Sequence, residues 1–221
     1  MILLNRGGVL NKPNVSFVNE DSSVRYLVDP YNGHEYVDLG LPSGLKWARC
    51  NVGATSPEQA GLYFAWGETT GYTAEQVTGG ERAFSSAVYN AGAAASISSD
   101  LTLAQDAAHV NLGGKWRMPT KAEFEELINS SYTTQTWTDD YNGTGVAGRI
   151  ITSKTNGNSI FLPASGYCYG SSVSYVGSYG LYWSASCGSS SDAWNLYFDS
   201  GDVYVSIDGR DCGFSVRGVS E

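Results

Sequence analysis

Apolar and polar residues alternate along two neighbouring segments near the C-terminus, residues 193–199 and 202–207. Successive side chains of a β-strand point to opposite faces, so the pattern predicts two strands joined by a turn at Ser200-Gly201. One face is predicted to pack against the core and carries Trp194, Leu196, Phe198, Val203, Val205 and Ile207. The other face is predicted to be exposed and carries Asn195, Tyr197, Asp199, Asp202, Tyr204 and Ser206.

Further strands are predicted on both sides of this hairpin. The segment EYVDLGLPSGLKWARCNVGA is predicted to form two strands around a turn at Pro42-Ser43-Gly44. GRIITS and SIFLPAS are joined by Asn156-Gly157, a strong hairpin signal. GLYWSAS and GFSVRGV are predicted to be the remaining C-terminal strands, and VSFV and VRYLV are candidate short strands near the N-terminus.

Two helices are predicted between the strand-rich halves. The first spans roughly Thr102 to Val110, with Ser99 or Asp100 near its start, and its expected apolar face is Leu103, Ala107 and Val110. The second follows Thr120, and Glu123 three residues later completes a capping box. Phe124, Leu127 and Ile128 are spaced to form the face that packs against the core.

The order of strands, two helices and many strands predicts an α+β fold. Residues 1–33 contain several turn signals and are interpreted as an N-terminal arm or attachment segment. Residues 34–221 are interpreted as one domain, in which the Gly-, Ala-, Ser- and Thr-rich residues 68–98 are predicted to be a long surface loop with little regular structure.

Composition excludes several classes of protein. Charged residues make up 16% of the chain against roughly 25% in a typical globular domain, and the net charge is -9. Nucleic acid is therefore not expected as a partner, because its phosphates repel such a surface. The sequence contains no run of about 18 apolar residues, so no membrane span is predicted. The opening MILLNRGG is too short for a signal-peptide core, so either a signal was removed or the protein reaches the outside on a phage particle.

The cysteines and histidines do not predict an active site or a metal centre. Cys50, Cys168, Cys187 and Cys212 match no metal or redox spacing, and Cys50 is expected to be a small core residue. The two histidines, His34 and His109, lie far from any cysteine in the sequence. We therefore expect neither catalysis, nor a metal, nor a cofactor.

Several ordered motifs from His34 to the C-terminus resemble the FISUMP-type domain, a branch of the C-type-lectin-like and formylglycine-generating-enzyme-like fold. They are YVDLGLPSGLKWARCNVGA, YFAWGE, GGKWRMPTKAEFEELI, SKTNGNSIFLPASGY, GLYWSAS and SVRGV. The resemblance implies a C-type-lectin-like fold with mixed, mostly antiparallel sheets, two helices and long loops. It also implies that the terminal strand returns to pair near the N-terminal strand.

The C-terminal pattern YWSAS, AWNLYFDSG, VYVS, GR and GFSVR also resembles the variable proteins of diversity-generating retroelements. In that family, adenines of Asn codons in a template are mutated, and a lectin-like scaffold displays a hypervariable ligand-binding surface. The resemblance implies a hypervariable region at about residues 165–214.

Amino-acid usage in this region agrees with that codon constraint. A codon AAC or AAT that is randomised at its first two bases cannot encode Lys, Glu, Gln, Met or Trp. Residues 155–220 contain no Lys, Glu, Gln or Met, whereas the preceding 154 residues contain 5 Lys, 9 Glu, 4 Gln and 2 Met. The tryptophans of the region, Trp183 and Trp194, fall in framework motifs. Tyr-, Ser- and Gly-rich strands also occur in extracellular β-proteins without diversification, so that alternative stays open.

The displayed residues are chemically similar to those of an antibody paratope, in which Tyr gives rigid contact area and Ser, Gly, Asn and Asp give adaptable hydrogen bonds. We expect the segments 166–180, 187–192 and 208–214 to meet the hairpin on one face. The predicted ligand-binding residues are Tyr167, Cys168, Tyr169, Ser172, Ser174, Tyr175, Tyr179, Leu181, Cys187, Ser189, Ser190, Asp192, Asn195, Tyr197, Asp199, Asp202, Tyr204, Ser206, Asp208, Asp211, Cys212 and Phe214. Tyr197 and Tyr204 are predicted to lie at the centre.

Three other functions are alternatives to this prediction. A formylglycine-generating enzyme needs an active-site cysteine motif that the surroundings of Cys212 do not match. A calcium-dependent lectin needs six or more oxygen ligands, and Leu196 stands where the sugar-binding lectins carry Asp after Trp194-Asn195. An undiversified bacterial adhesin or fimbrial component of the same fold is the strongest alternative.

The sequence therefore predicts a non-catalytic ligand- or receptor-binding protein. Its expected partner is a protein or glycan on a target cell surface, and its expected location is a phage tail or a bacterial cell surface. The N-terminal arm is expected to attach the domain to a larger virion or surface assembly.

Overall fold

A computed structural model describes residues 32–221 in full and, within the first 31 residues, only the backbone of two short strands. The predicted N-terminal arm otherwise lies outside the described residues. The described strands form four sheets in which every neighbouring pair is antiparallel. With several short helices and long loops, this architecture confirms the α+β class.

Up to Leu127, the described residues form four strands and four helices. They are β1 (Phe17–Val18), β2 (Arg25–Val28), β3 (Glu35–Asp38), β4 (Lys46–Asn51), α1 (Ala74–Thr78), α2 (Ser86–Asn90), α3 (Ala107–Leu112) and α4 (Lys121–Leu127). Single 3-10 turns occupy Ala93–Ser96 and Leu103–Gln105.

The second half supplies nine strands. They are β5 (Thr133–Thr138), β6 (Gly148–Ser153), β7 (Ser159–Pro163), β8 (Tyr167–Tyr169), β9 (Ser172–Ser174), β10 (Gly180–Cys187), β11 (Asp192–Phe198), β12 (Val203–Gly209) and β13 (Arg217–Ser220). A third 3-10 turn covers Tyr141–Gly143. The hairpins predicted at Pro42-Ser43-Gly44, Asn156-Gly157 and Ser200-Gly201 are confirmed as β3–β4, β6–β7 and β11–β12.

The first sheet joins the two ends of the chain. Its order is β1-β2-β3-β4-β13, and the terminal strand pairs with β4 through Val219 opposite Trp47. The predicted return of the terminal strand is therefore confirmed. VSFV and VRYLV contribute β1 and β2 to the same sheet.

The sheet of β10, β11 and β12 has apolar packing on both of its faces. On one face, Leu196 and Phe198 belong to a core cluster that includes Trp47, Phe124 and Leu162. On the other face, residues 181, 183 and 193 belong to a second core cluster around Trp66, Phe84 and Phe214. The sheet is thus the middle layer of the domain and becomes accessible only towards β12 and the strand ends.

Three assignments in the predicted hairpin are corrected. Asn195 is expected to be exposed, but it is fully buried because the second core cluster covers that face of the sheet. Ile207 was expected inside, but it is 44% exposed on the edge strand. Trp194 is half-buried, with the Lys121 ammonium 3.7 Å from its ring centroid. The alternation is right about which side chains share a face and about the burial of Leu196 and Phe198, but wrong about the burial of these three residues.

Helix α4 follows its sequence signals closely. Thr120 accepts a hydrogen bond from the Glu123 amide, and the Glu123 carboxylate accepts one from the Thr120 amide, which is the predicted capping box. Phe124 and Leu127 are fully buried, and Ile128 packs partly against the same core.

The predicted helix from Thr102 to Val110 is wrong in its extent and its apolar face. The chain forms a 3-10 turn, breaks at Asp106 and restarts as α3. The buried Asp106 carboxylate causes the break, because it accepts the amides of His109 and Met118 at 2.9 and 2.8 Å. Leu103 and Val110 are 53% and 51% exposed, so Ala107 and Ala108 form the face that packs inside.

Residues 68–98 are also more ordered than predicted. They contain α1, α2 and a 3-10 turn, and they bury Val77, Phe84, Tyr89, Ala94 and Ile97 in the second core cluster. These anchors are too widely spaced among small residues to give a periodic signal.

Cys50, which was expected in the core, is only half-buried. Helices in the described part of the chain are too short to cross a membrane.

Candidate functional site

Five tyrosines from the predicted variable segment have their rings side by side, stacked or tilted against each other, and form a continuous aromatic row, here called the tyrosine row. From one end to the other its members are Tyr167, Tyr175, Tyr179, Tyr197 and Tyr204. Successive ring centroids are 5.8, 4.5, 5.5 and 5.0 Å apart. These separations lie in the range where aromatic rings attract each other beyond the effect of burial alone. The row unites β8, the loop before β10, β11 and β12.

The inner end of the row is anchored in the core. Tyr167 meets Phe214 edge to face at 6.3 Å, and Phe214 stacks on Trp183 at 4.1 Å. Two members of the row reach solvent: Tyr175, next to the inner end, is 53% exposed, and Tyr204, at the outer end, is 48% exposed. The row therefore presents aromatic surface on a support that packing holds in place.

The loop that carries Tyr175 has a constrained backbone. Tyr175 has a φ of 59°, a value that bulky residues rarely adopt. Its carbonyl oxygen accepts hydrogen bonds from the amides of Ser178 and Tyr179, both at 3.0 Å. The loop also lies directly on Gly166, where an added Cβ would come within 2.0 Å of the Ser174 carbonyl oxygen. These contacts fix Tyr175 over Tyr179 and determine the path of the row.

A carboxylate lies beside the middle of the row. Asp199 accepts the Tyr197 hydroxyl at 3.0 Å and the amides of Gly201 and Asp202 at 2.8 Å each. The amide of Asp202, above all, holds the pKa of Asp199 below its usual range, and so the side chain is ionised at neutral pH. Burial and the bond to Asp199 raise the pKa of Tyr197, so its hydroxyl keeps its proton.

A surface cavity of about 480 Å³ opens next to these residues. Its lining residues are Trp137, Asp139, Gly177, Ser178, Tyr179, Asp199, Ser200, Gly201 and Asp202. Trp137 donates its indole N–H to Asp139 at 2.7 Å and meets Phe198 edge to face. Sequence reasoning missed Trp137 and Asp139 because they precede the region that lacks Lys, Glu, Gln and Met. The signal that was available is the alternating TTQTWT followed by two acidic residues.

A second polar pair lies towards the other end of the hairpin. Asn195 donates from Nδ2 to the Asp208 carboxylate at 2.8 Å, while its buried Oδ1 atom has no hydrogen-bond partner among the described residues. Burial raises the pKa of Asp208, and the bond from Asn195 only partly opposes it. This pair is a partly buried support, and Ser206 and Asp208 lie on the same face of β12 as Tyr204.

Part of the predicted set lies at the opposite end of β11 from Asp199, roughly 20 Å away for a strand of this length. There the hydroxyl of Ser189 donates to Asp192 at 2.7 Å, and Asp211 accepts the hydroxyl of Ser86 at 2.7 Å. The residues of this end are Cys187, Ser189, Ser190, Asp192 and Asp211. They do not join the tyrosine row, so the predicted single face is divided into two regions.

Four predicted ligand-binding residues are corrected because they are buried. They are Cys168, Leu181, Asn195 and Phe214, each exposed by 5% or less. They lie on faces or segments covered by the second core cluster, where a ligand cannot touch them. The remaining predicted residues are accessible at least in part; Tyr169, Ser172 and Ser174 form the β8–β9 hairpin, and Cys212 follows β12.

Three buried arginines bind the surrounding loops and strands mainly through backbone carbonyl groups. Arg149 binds the carbonyl oxygens of residues 199 and 202, Arg210 those of residues 97, 189 and 192, and Arg217 those of residues 48, 49 and 161. Every residue has a backbone carbonyl oxygen, whatever its side chain. The loop positions are therefore stabilised in a way that depends little on the sequence of the loops.

The described residues do not assemble a metal centre. Across residues 32–221, no three His, Cys, Asp or Glu side chains converge as ligands. Burial raises the pKa of both Cys168 and Cys212 to about 12, so these thiols stay protonated at neutral pH. His109 makes a structural contact, because its Nδ1 lies 3.0 Å from the Trp116 carbonyl oxygen.

A comparison with known families gives one assignment. A family model described as the Lcl C-terminal domain matches residues 40–220, about four-fifths of the chain. Neither the curated proteins nor the solved structures contain a match. The match spans the tyrosine row, the cavity and all three buried arginines.

Proposed function

Because this chain belongs to the Lcl C-terminal domain family, we propose that it is a non-catalytic binding protein with a diversified surface on a C-type-lectin-like scaffold. The family is a ligand-binding domain of the variable-protein-like kind. The proposed role is to attach a phage or bacterial surface to a protein or glycan on a target cell. Residues 165–214 are the proposed hypervariable region.

The tyrosine row is the observation that carries this proposal. Tyrosines supply large, rigid contact areas and lose little conformational entropy on binding. Stacking between neighbours orders Tyr175 and Tyr204 before a ligand arrives, although both are about half exposed. Pre-ordering of this kind lowers the entropic cost of association.

The scaffold also supports the tolerance to substitution that diversification requires. Arg149 and Arg210 bind carbonyl oxygens of the segment, and buried hydroxyl and indole groups do the same: Tyr63 binds the Ser165 carbonyl at 2.6 Å and Trp66 the Ser184 carbonyl at 2.9 Å. Three of these four residues, 63, 66 and 149, precede the proposed hypervariable region, whereas Arg210 lies within it. New side chains at exposed positions leave such contacts unchanged.

Two cysteines and one buried carboxylate are poorly suited to catalysis. Cys168 and Cys212 are protonated thiols, whereas a cysteine nucleophile requires the thiolate. The buried Asp106 carboxylate, whose pKa burial raises, is used to cap α3 and to hold Met118. These contacts favour a binding role over catalysis.

The double variant Y175S/Y204S tests the proposed surface. Once a target has been identified on an array of cell-surface proteins and glycans, this variant is expected to bind it at least tenfold more weakly. Its melting temperature should stay close to that of the parent, because both side chains are about half exposed. The matched control is Val110→Ser, which removes an equally exposed apolar group from α3 and should bind normally. Undiminished binding by a folded Y175S/Y204S protein would refute the surface.

Sequencing of clonal isolates tests the proposed diversification. The codons for exposed positions in residues 165–214 should differ between isolates, while those for Trp183, Leu196 and Phe198 stay constant. A reverse transcriptase gene beside an imperfect repeat of the segment should lie nearby. Identical segments without such neighbours would instead support the undiversified adhesin of the same fold.

A further inference from the structure

The cavity beside the tyrosine row combines aromatic walls with carboxylates. Trp137 and Tyr179 line it together with Asp139, Asp199 and Asp202. Its volume of about 480 Å³ lies within the range of sites that hold small molecules or single side chains. Aromatic faces and carboxylates both attract a cation, and tryptophan is the best of the aromatic partners.

The electrostatic environment of the cavity is negative. Three of the residues that line it carry carboxylates. Among the described residues, no lysine or arginine belongs to the lining. Arg149 lies behind the turn with only 5% exposure, and its N–H groups already bind the carbonyl oxygens of Asp199 and Asp202. One buried cation whose N–H groups are already bound by carbonyl oxygens does not offset three carboxylates around the opening. An anionic ligand such as a sulfated or sialylated glycan would be repelled.

We propose that this cavity binds a lysine or arginine side chain presented by a target protein. The proposal deepens the proposed function, on which it rests, by choosing a basic protein segment over a glycan. The cationic head would lie among the carboxylates of Asp139 and Asp202, and its aliphatic stem would contact Trp137 and Tyr179. A neighbouring part of the same target would then cover the tyrosine row.

The two walls of the cavity come from different parts of the sequence. Trp137 and Asp139 belong to β5 and the residue after it, before the region without Lys, Glu, Gln and Met. Tyr179, Asp199 and Asp202 belong to the proposed hypervariable region. One wall therefore provides a constant indole and carboxylate, while the opposite wall adjusts the fit to a particular target.

Small amides that mimic single side chains test the cavity directly. The 221-residue chain is titrated with N-acetyl-arginine methylamide, N-acetyl-lysine methylamide and the neutral isostere N-acetyl-citrulline methylamide. The readout is the NMR signal of the Trp137 indole N–H, which a Trp137→Phe variant identifies. We expect the arginine amide to bind about tenfold more tightly than the citrulline amide.

Matched charge variants separate a local effect from net charge. D139N/D202N removes two cavity carboxylates and keeps an oxygen that can accept the Trp137 N–H, so its preference for the arginine amide should disappear. E81Q/E125Q removes two charges outside the cavity lining and should keep the preference.

Three results would overturn the inference: no shift of the Trp137 signal with the arginine amide, equal affinity for the citrulline amide, or a larger effect of neutral or acidic sugars. None of these measurements uses the natural target. Their failure would leave the proposed function intact if Y175S/Y204S still lost target binding. If Y175S/Y204S bound the target normally while the arginine amide was still preferred, the proposed surface would be refuted instead.

Discussion

The guanidinium of Arg149 donates two hydrogen bonds to the backbone carbonyl oxygen of Asp199, from Nη2 at 2.8 Å and from Nε at 3.1 Å. Nη2 also donates to the Asp202 carbonyl oxygen at 2.8 Å. A residue of β6 thus fixes the turn between β11 and β12 without contacting a side chain of that turn. Display and stability are separated at this point, because the contact uses atoms that every sequence provides.

Arg149→Met is expected to lower the free energy of unfolding by about 2–4 kcal/mol, since two carbonyl groups lose charged donors. Asp202→Ser should change it by less than about 0.5 kcal/mol, because the carbonyl that Arg149 binds is unchanged and the side chain is exposed. Urea unfolding of the two variants checks the difference. Equal losses would mean that the turn is held by its own side chains.

The ion pair between Arg117 and Glu123 should make stability fall in acid. Burial opposes ionisation of Glu123, but the hydrogen bonds from Arg117 at 2.6 and 2.8 Å, the hydrogen bonds to Thr120 and the charge of Arg117 together outweigh it, and the pKa lies below 4.5. The folded state then binds fewer protons than the unfolded chain, so stability is present above pH 4.5 and is lost as the pH falls through the lowered pKa.

Glu123→Gln is expected to cost about 1–3 kcal/mol at pH 7, because the charged hydrogen bonds and one half of the α4 capping box weaken. The gap between the parent and this variant should narrow as the pH falls below about 4.5. Urea unfolding at several pH values measures it. A gap that is independent of pH would show that the pair adds nothing as an ion pair.

Asp208 should have the opposite effect on stability. Burial raises its pKa above 3.8, so the folded state holds the proton more tightly than the unfolded chain. Stability is therefore lost as the pH rises from 3.8 through the raised pKa. Asp208→Asn removes this loss, and its amide can donate to the unpartnered Oδ1 of Asn195.

We expect Asp208→Asn to be more stable than the parent by about 1 kcal/mol at pH 7 and close to it at pH 3. Thermal unfolding at the two pH values compares them. A variant that is less stable at pH 7 would show that the Asp208 carboxylate stabilises the fold in its ionised form.

Substitutions at exposed and at core positions of the β11–β12 hairpin should lower the free energy of unfolding by very different amounts. Tyr204 is 48% exposed on the edge strand, so Tyr204→Ser should cost less than about 1.5 kcal/mol, mainly its stacking on Tyr197. Leu196 is fully buried, and Leu196→Ala should cost about 2–5 kcal/mol. Denaturant unfolding of both variants decides whether the exposed face can vary independently of the core.

The sequence predicted the local elements where a short motif fixes the geometry. The capping box at Thr120 and Glu123 and the turn at Asn156-Gly157 are examples, since their hydrogen bonds and backbone angles depend on adjacent residues alone. Helix α3 was misplaced because Asp106 uses its second carboxylate oxygen to bind the Met118 amide, a partner outside the helix. The alternation correctly grouped Tyr197 with Tyr204, whose Cα atoms are partners in the register.

The candidate site divides in the same way. By itself, the sequence determined which residues of the hairpin share a face and which residue types the segment 155–220 uses, because alternation and composition are properties of the chain. Only the tertiary structure decided that Asn195 is buried, that five separate tyrosines form one row, and that Trp137 completes a cavity with Asp202. Burial and proximity depend on which layers cover a sheet, and those layers come from residues far away in the sequence.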